Sequence, residues 1–145
     1  EPEPEVLGEC FAALLELVGA PAVVDVARYL RHADAATAEA AALALGGSRL
    51  PGAFTTLREA DESLIGGDGR RIRLLAIALV REPEAWAYLL GLVEHGATPA
   101  AEDAIRAIAT FRHDDELMAR VSETVARRGD TDIQRTLEEL LADDT

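Results

Sequence analysis

The sequence predicts an all-α fold: an α-solenoid, or superhelix, of about four helical hairpins behind an N-terminal capping helix. Three observations carry that expectation. A pattern recurs every 31 residues or so, the length of one helical-repeat unit, with units opening at Pro21, Pro51, Pro83 and Asp114. Each unit holds two apolar-striped stretches parted by a polar break, which is how a packed helical pair reads. Hydrophobic residues make up 49% of the chain and aromatics only 4%, and the excess is Ala and Leu, both strong helix formers. Alternating stretches are short and poor in Thr, Val and Ile, so no strand competes.

Taken in order, residues 1–145 form a single repeat domain of nine predicted helices. Residues 1–5, EPEPE, read as the end of an acidic extended linker, and the missing initiator Met reads as the mark of an excised piece. Residues 6–20 are the capping element, within a helix over about 4–19 whose apolar face carries Leu7, Cys10, Phe11, Leu14 and Val18. Gly19 and Pro21 end it. The repeats then span 21–50, 51–82, 83–113 and 114–143. Their first helices lie near 22–32, 52–65, 84–95 and 114–128, and proline opens three of them, where a missing N–H costs nothing. A large apolar residue follows each start by three positions: Val24, Phe54, Trp86 and Leu117. That recurrence makes Trp86 a core plug rather than a ligand-stacking ring, and as a core residue its truncation to Ala costs about 3–5 kcal/mol.

The second helices lie near 35–46, 69–81, 99–112 and 131–142. Their stripes are Ala38, Ala41, Ala42, Leu45; Ile72, Leu75, Ala76, Leu79; Ala104, Ala107, Ile108, Phe111; and Ile133, Thr136, Leu137, Leu140. All follow i, i+3, i+4, i+7, the spacing of one helical face. Asp34, Asp68, Thr98 and Asp130 precede these helices and suit N-caps, because their oxygens accept orphan backbone N–H bonds.

The units resemble HEAT-like repeats of the short bacterial kind related to those of phycobilin lyases. The residues that carry the likeness run from Ala33 and Asp34 to Pro51 and from Gly67 to Pro83: an acidic turn, an Ala-rich helix, a Leu-Gly close and a proline opening the next unit. The resemblance covers roughly 21–143. Phe111-Arg112 and Asp114 depart from it, where Leu-Gly and proline are expected. It implies the fold and leaves function open, since one fold hosts many functions.

Composition narrows the partners. The net charge is −13, and all fourteen basic side chains are arginine. Such a chain repels a phosphate backbone, which disfavours nucleic acid. No apolar run approaches the roughly 18 residues of a membrane span. The single cysteine, Cys10, forms no internal disulfide and reads as a buried, inert thiol; a reducing, cytoplasmic location is expected.

Catalytic signatures are missing from the sequence. His32, His95 and His113 show no metal-ligand spacing. Ser48, Ser63 and Ser122 lack a Gly-x-Ser-x-Gly elbow, and the Gly66–Gly69 turn lacks the Lys-Ser/Thr of a phosphate loop. No cofactor is expected. The candidate partner-binding residues are arginines. Arg49, Arg81 and Arg112 each stand just before the next unit and would share one column in a stack. Arg71, Arg73, Arg106 and Arg135 lie off the apolar stripe of the second helices, on the side that lines the concave surface in related arrays. A guanidinium there suits a carboxylate or phosphate on a partner; equally, arginine near a helix end serves that helix's own carbonyls and dipole. The expected function is a non-catalytic protein–protein interaction scaffold with a protein partner. The alternatives are a lyase- or chaperone-type subunit holding a chromophore or substrate protein, and an anion- or nucleic-acid-binding module.

Overall fold

The structure, a computed structural model, describes residues 3–64 and 69–142. Among them are nine α-helices, one 3-10 turn and no strand. The helices are α1 (Pro4–Val18), α2 (Pro21–Ala27), α3 (Ala35–Ser48), α4 (Ala53–Ser63), α5 (Arg70–Val80), α6 (Pro83–His95), α7 (Thr98–Ala109), α8 (Asp115–Arg128) and α9 (Thr131–Ala142); the 3-10 turn Arg28–Arg31 continues α2. Every helix falls where the periodicity places it. The chain divides into two compact units, Glu1–Ala85 and Trp86–Thr145.

In the N-terminal unit α3 is central: α1, α2, α4 and α5 all pack on it. Asp34 caps α3, its carboxylate accepting from the Thr37 amide at 3.2 Å and the Thr37 hydroxyl at 2.7 Å. These two bonds, the hydroxyl first, hold the Asp34 carboxyl below its ordinary pKa. Further along, α3 buries Ala41, Ala42, Leu45 and Gly46. A Cβ on Gly46 would overlap the Ala76 carbonyl of α5, so only glycine permits this backbone approach.

Three expectations for this unit are corrected. Cys10 is exposed, not buried. The first helix is apolar on two adjacent faces, and it turns Phe11 and Leu15 inward while Leu14 and Cys10 face outward. Periodicity finds an apolar face but does not choose between two. Val24 is 64% exposed and is no core plug. The buried pattern is Ala22, Val23, Val26 in α2 and Ala53, Phe54, Leu57 in α4. Counting from proline therefore slips by one residue. In α5 the deeply buried set is Leu74, Ala76, Ile77, Ala78 and Val80, with Ile72, Leu75 and Leu79 half-buried; a helix apolar nearly all round has no single stripe. The Asp68 cap lies outside the described residues.

In the C-terminal unit α6 buries Leu89, Leu90 and Val93, α7 buries Ala101, Ala104, Ile105, Ala107 and Ile108, and α9 buries Ile133, Thr136 and Leu137 against α7 and α8. Trp86 is half-buried and meets Phe111 edge-on, ring centroids 5.4 Å apart. It is a packing residue, less enclosed than the recurrence predicts. Thr98 is the first helical residue of α7 rather than its cap, and the Ala97 N-cap gives no side-chain bond. Asp114 does cap α8, accepting from the Leu117 amide at 3.0 Å. Asp130 accepts from the Asp132 amide at 2.9 Å as α9 begins.

Candidate interaction surfaces

The seven candidate arginines separate by what their backbone and guanidinium do. Arg49 and Arg81 occupy equivalent places, directly after the last residues of α3 and α5. Both are left-handed, with φ of 57° and 59°. That conformation ends a helix well but favours glycine, and costs a side-chain-bearing residue about 1 kcal/mol. Both arginines are exposed. The sequence shows the spacing; the shared left-handed backbone is visible only in the structure.

Arg112 does not repeat this geometry. Beyond α7 the chain continues in i→i+3 turns, the Arg112 amide donating to the Ala109 carbonyl at 3.1 Å. Its guanidinium folds back onto the same carbonyl at 3.1 Å and reaches the Leu140 carbonyl at 3.3 Å. It holds together two helix ends of its own unit.

Arg73 is the clear correction among the second-helix arginines. It is 7% exposed, not on a solvated face. Its Nε donates to Asp61 at 3.2 Å and its Nη2 to the Leu64 carbonyl at 3.0 Å. The charge is tolerated there because a carboxylate and the C-terminal end of α4 meet it together. Arg106 pairs with Asp103 at 3.1 Å and Arg135 with Asp132 at 3.4 Å, both three residues away on the same helix. Arg71 is exposed.

Two important arginines escaped sequence reasoning. Arg128 Nη1 donates to the carbonyls of Gly96 at 2.6 Å and Val93 at 3.1 Å, closing the C-terminal end of α6 from α8. Its Nε lies 3.6 Å from Asp130. Arg127 binds Glu94 at 3.0 Å and Glu123 at 3.2 Å. The Arg127 hydrogen bond, ahead of its charge, holds Glu94 below the usual glutamate pKa, and Glu94 raises Arg127 in return. The available signal was sequence separation. Arg31 to Ser63, Arg127 to Glu94, Arg128 to Gly96 and Glu102 to Thr136 join residues 32, 33, 32 and 34 apart, each within one unit. These distances match the sequence period of about 31 residues.

His32 Nδ1 accepts from the Asp34 amide at 3.0 Å, and His95 stands 3.4 Å from Glu94. Among the described residues no group of three His, Cys, Asp or Glu side chains is placed to hold a metal ion, and no helix is long and apolar enough to cross a membrane. The open grooves include one of about 490 Å³ between α1 and α2, lined by Leu7, Cys10, Phe11, Leu14, Val26 and Tyr29 together with Asp25, Arg28 and His32. No protein-family model, curated protein or solved structure matches this chain.

Proposed function

We propose that this chain is a non-catalytic interaction scaffold: HEAT-like hairpins stacked as a superhelix that presents arginines to a protein partner. The observation that carries the reading is a division of labour among the cations. Arg73, Arg112 and Arg128 are spent on helix-end carbonyls inside the fold, whereas Arg49 and Arg71 are exposed. Arg49 sits on left-handed backbone, where glycine would be favoured for folding alone. Polar bonds that join residues one period apart support the stacking part of the proposal. A fixed helical surface binds through preformed shape, because little order has to be gained on association.

The partner surface is acidic by this reading, since a guanidinium fork matches carboxylate geometry. The overall charge of −13 argues against a nucleic-acid partner. The test is in-cell cross-linking with mass spectrometry on wild type and on a variant carrying Arg49→Glu and Arg71→Glu. A partner joined to the wild-type chain and lost from the variant, at unchanged helical content, supports the scaffold. An identical cross-linked set in both contradicts it.

A further inference from the structure

A pocket of about 230 Å³ lies within the N-terminal unit, where the chain from Leu30 into α3 faces the end of α4 and the start of α5. Leu30, Leu64 and three alanines form its apolar wall, and Arg31, His32, Glu39 and Arg73 are its polar groups. Capping of α4 accounts for part of this lining. Arg31 Nη2 donates to the Ser63 hydroxyl at 2.7 Å, while Arg73 gives Nε to Asp61 and Nη2 to the Leu64 carbonyl. It does not account for the rest. Arg73 Nη1 makes no hydrogen bond among the described residues, although its side chain is enclosed. No fully enclosed side-chain nitrogen or oxygen among them lacks a partner, so Nη1 is reached from the pocket that Arg73 lines. Gly69 keeps it uncovered, since a Cβ there would stand 2.9 Å from Nη1. Glu39, half-buried on α3, has no ion-pair partner among the described residues.

The signs of these groups select a ligand. The guanidiniums of Arg31 and Arg73 are matched by the carboxylates of Glu39, in the lining, and Asp61, bound to Arg73. His32 is engaged through Nδ1 by the Asp34 amide, and the Asp34 carboxylate by Thr37. A bare anion such as phosphate would take the guanidiniums and set Glu39 against like charge; a bare cation would do the reverse. A zwitterion pairs with both signs. At roughly 30 Å³ for each water-sized atom the pocket admits about eight non-hydrogen atoms, the size of valine. We infer that this pocket binds a free α-amino acid with a small apolar side chain. The ligand's carboxylate accepts from Arg73 Nη1 and the Arg31 guanidinium, its ammonium meets Glu39, and its side chain lies against Leu30 and Leu64. The inference goes beyond the scaffold reading and does not depend on it: Arg31 and Glu39 are no part of the proposed partner surface, so either idea can fail alone.

The probe is L-valine, titrated into the isotope-labelled protein and followed by amide NMR. Isovalerate, which lacks the ammonium, and isobutylamine, which lacks the carboxylate, are the controls. Valine is expected to shift the amide resonances of His32, Glu39 and Gly69 saturably, and each control to bind about tenfold more weakly, because a site built for a charged group rejects the analogue without it. Glu39→Gln keeps the shape and removes the charge. It should weaken valine about tenfold and leave isovalerate no weaker, whereas Arg31→Gln should weaken both. General damage to the fold would not produce that crossed pattern. The inference is overturned if valine gives no saturable shift, if the shifts fall away from these residues, or if isovalerate binds as tightly as valine. Inorganic phosphate binding more tightly than valine would overturn it too, because the pocket would then be a plain anion site.

Discussion

The two units are built from the same kind of helix but hold it by different means. The N-terminal unit relies on small residues. Gly46, Ala41, Ala42 and Ala76 let α3 and α5 approach backbone to backbone, and one enclosed ion pair, Arg73–Asp61, ties α4 to α5. The C-terminal unit relies on larger pieces and longer reach. Trp86 and Phe111 fill space edge-on, while Arg112, Arg127, Arg128 and Thr136 bridge residues 28 to 35 apart in sequence. Close packing tolerates little change in volume. Arginine bridges act through hydrogen bonds on helix ends and lose strength one bond at a time. The N-terminal unit is therefore sensitive to added volume and to loss of its one enclosed ion pair, and the C-terminal unit to removal of donors from its helix ends.

Substitutions sharpen that contrast. The largest effect is expected at Arg73, where replacement by Leu removes the enclosed guanidinium from the Asp61 carboxylate, whose side chain is 8% exposed; urea unfolding followed by circular dichroism should show a loss of about 3–5 kcal/mol. A loss under 1 kcal/mol there would mean the pair is not enclosed. Next is Gly46→Ala, a single added methyl group that should cost about 2 kcal/mol because the Ala76 carbonyl must move. Glycine-to-alanine changes inside helices normally stabilise, so the sign alone distinguishes the close approach from an ordinary helix position. In the C-terminal unit, Arg128→Met keeps much of the volume and removes two bonds to carbonyls, for about 1.5 kcal/mol. Equal costs for Gly46→Ala and for Gly91→Ala, within α6, would erase the contrast, since a Cβ at Gly91 meets nothing within 4 Å.

Smaller effects follow at the exposed caps. Arg49→Gly relieves a left-handed backbone and should stabilise by about 0.5 kcal/mol, less than the full strain because glycine also loosens the unfolded chain. The smallest expected effect is acid sensitivity at Asp34 and Glu94. Both carboxyls have folded pKa values below their ordinary ones, so their contribution is whole above the ordinary values and is lost as pH falls through the folded ones. Unfolding curves between about pH 5 and pH 2 should show this loss reduced in a variant carrying Asp34→Asn and Glu94→Gln.

Much of the fold was legible in the sequence because local chemistry marks helix ends. Asp34 and Asp114 cap as expected, Pro21 and Pro83 begin helices, and α9 has the predicted limits of 131 and 142. The failures share a cause. Cys10 and Leu14 lie on one of two apolar faces of α1, and Arg73 lies within an α5 whose apolar surface nearly encircles it. Periodicity reports that a face is apolar, while tertiary contact decides which face turns inward. Val24 fails because the buried face of α2 stands one residue nearer its proline than that of α4. The candidate site was legible only as a list of arginines. Whether a guanidinium turns back to a carbonyl 28 residues away, as in Arg112, or rides an exposed left-handed cap, as in Arg49, depends on neighbours that the chain brings together only on folding.

The central claim is that within the N-terminal unit α3 and α5 pack in phase, so that residues about one period apart touch. Gly46 and Ala76 carry it most sharply, since a Cβ on Gly46 would stand 2.9 Å from the Ala76 Cα. Nuclear Overhauser spectroscopy of the labelled protein in heavy water tests this directly. Strong cross-peaks from the Gly46 α-protons to the Ala76 α-proton are the expected result. Their absence, with both residues assigned and helical, would contradict it.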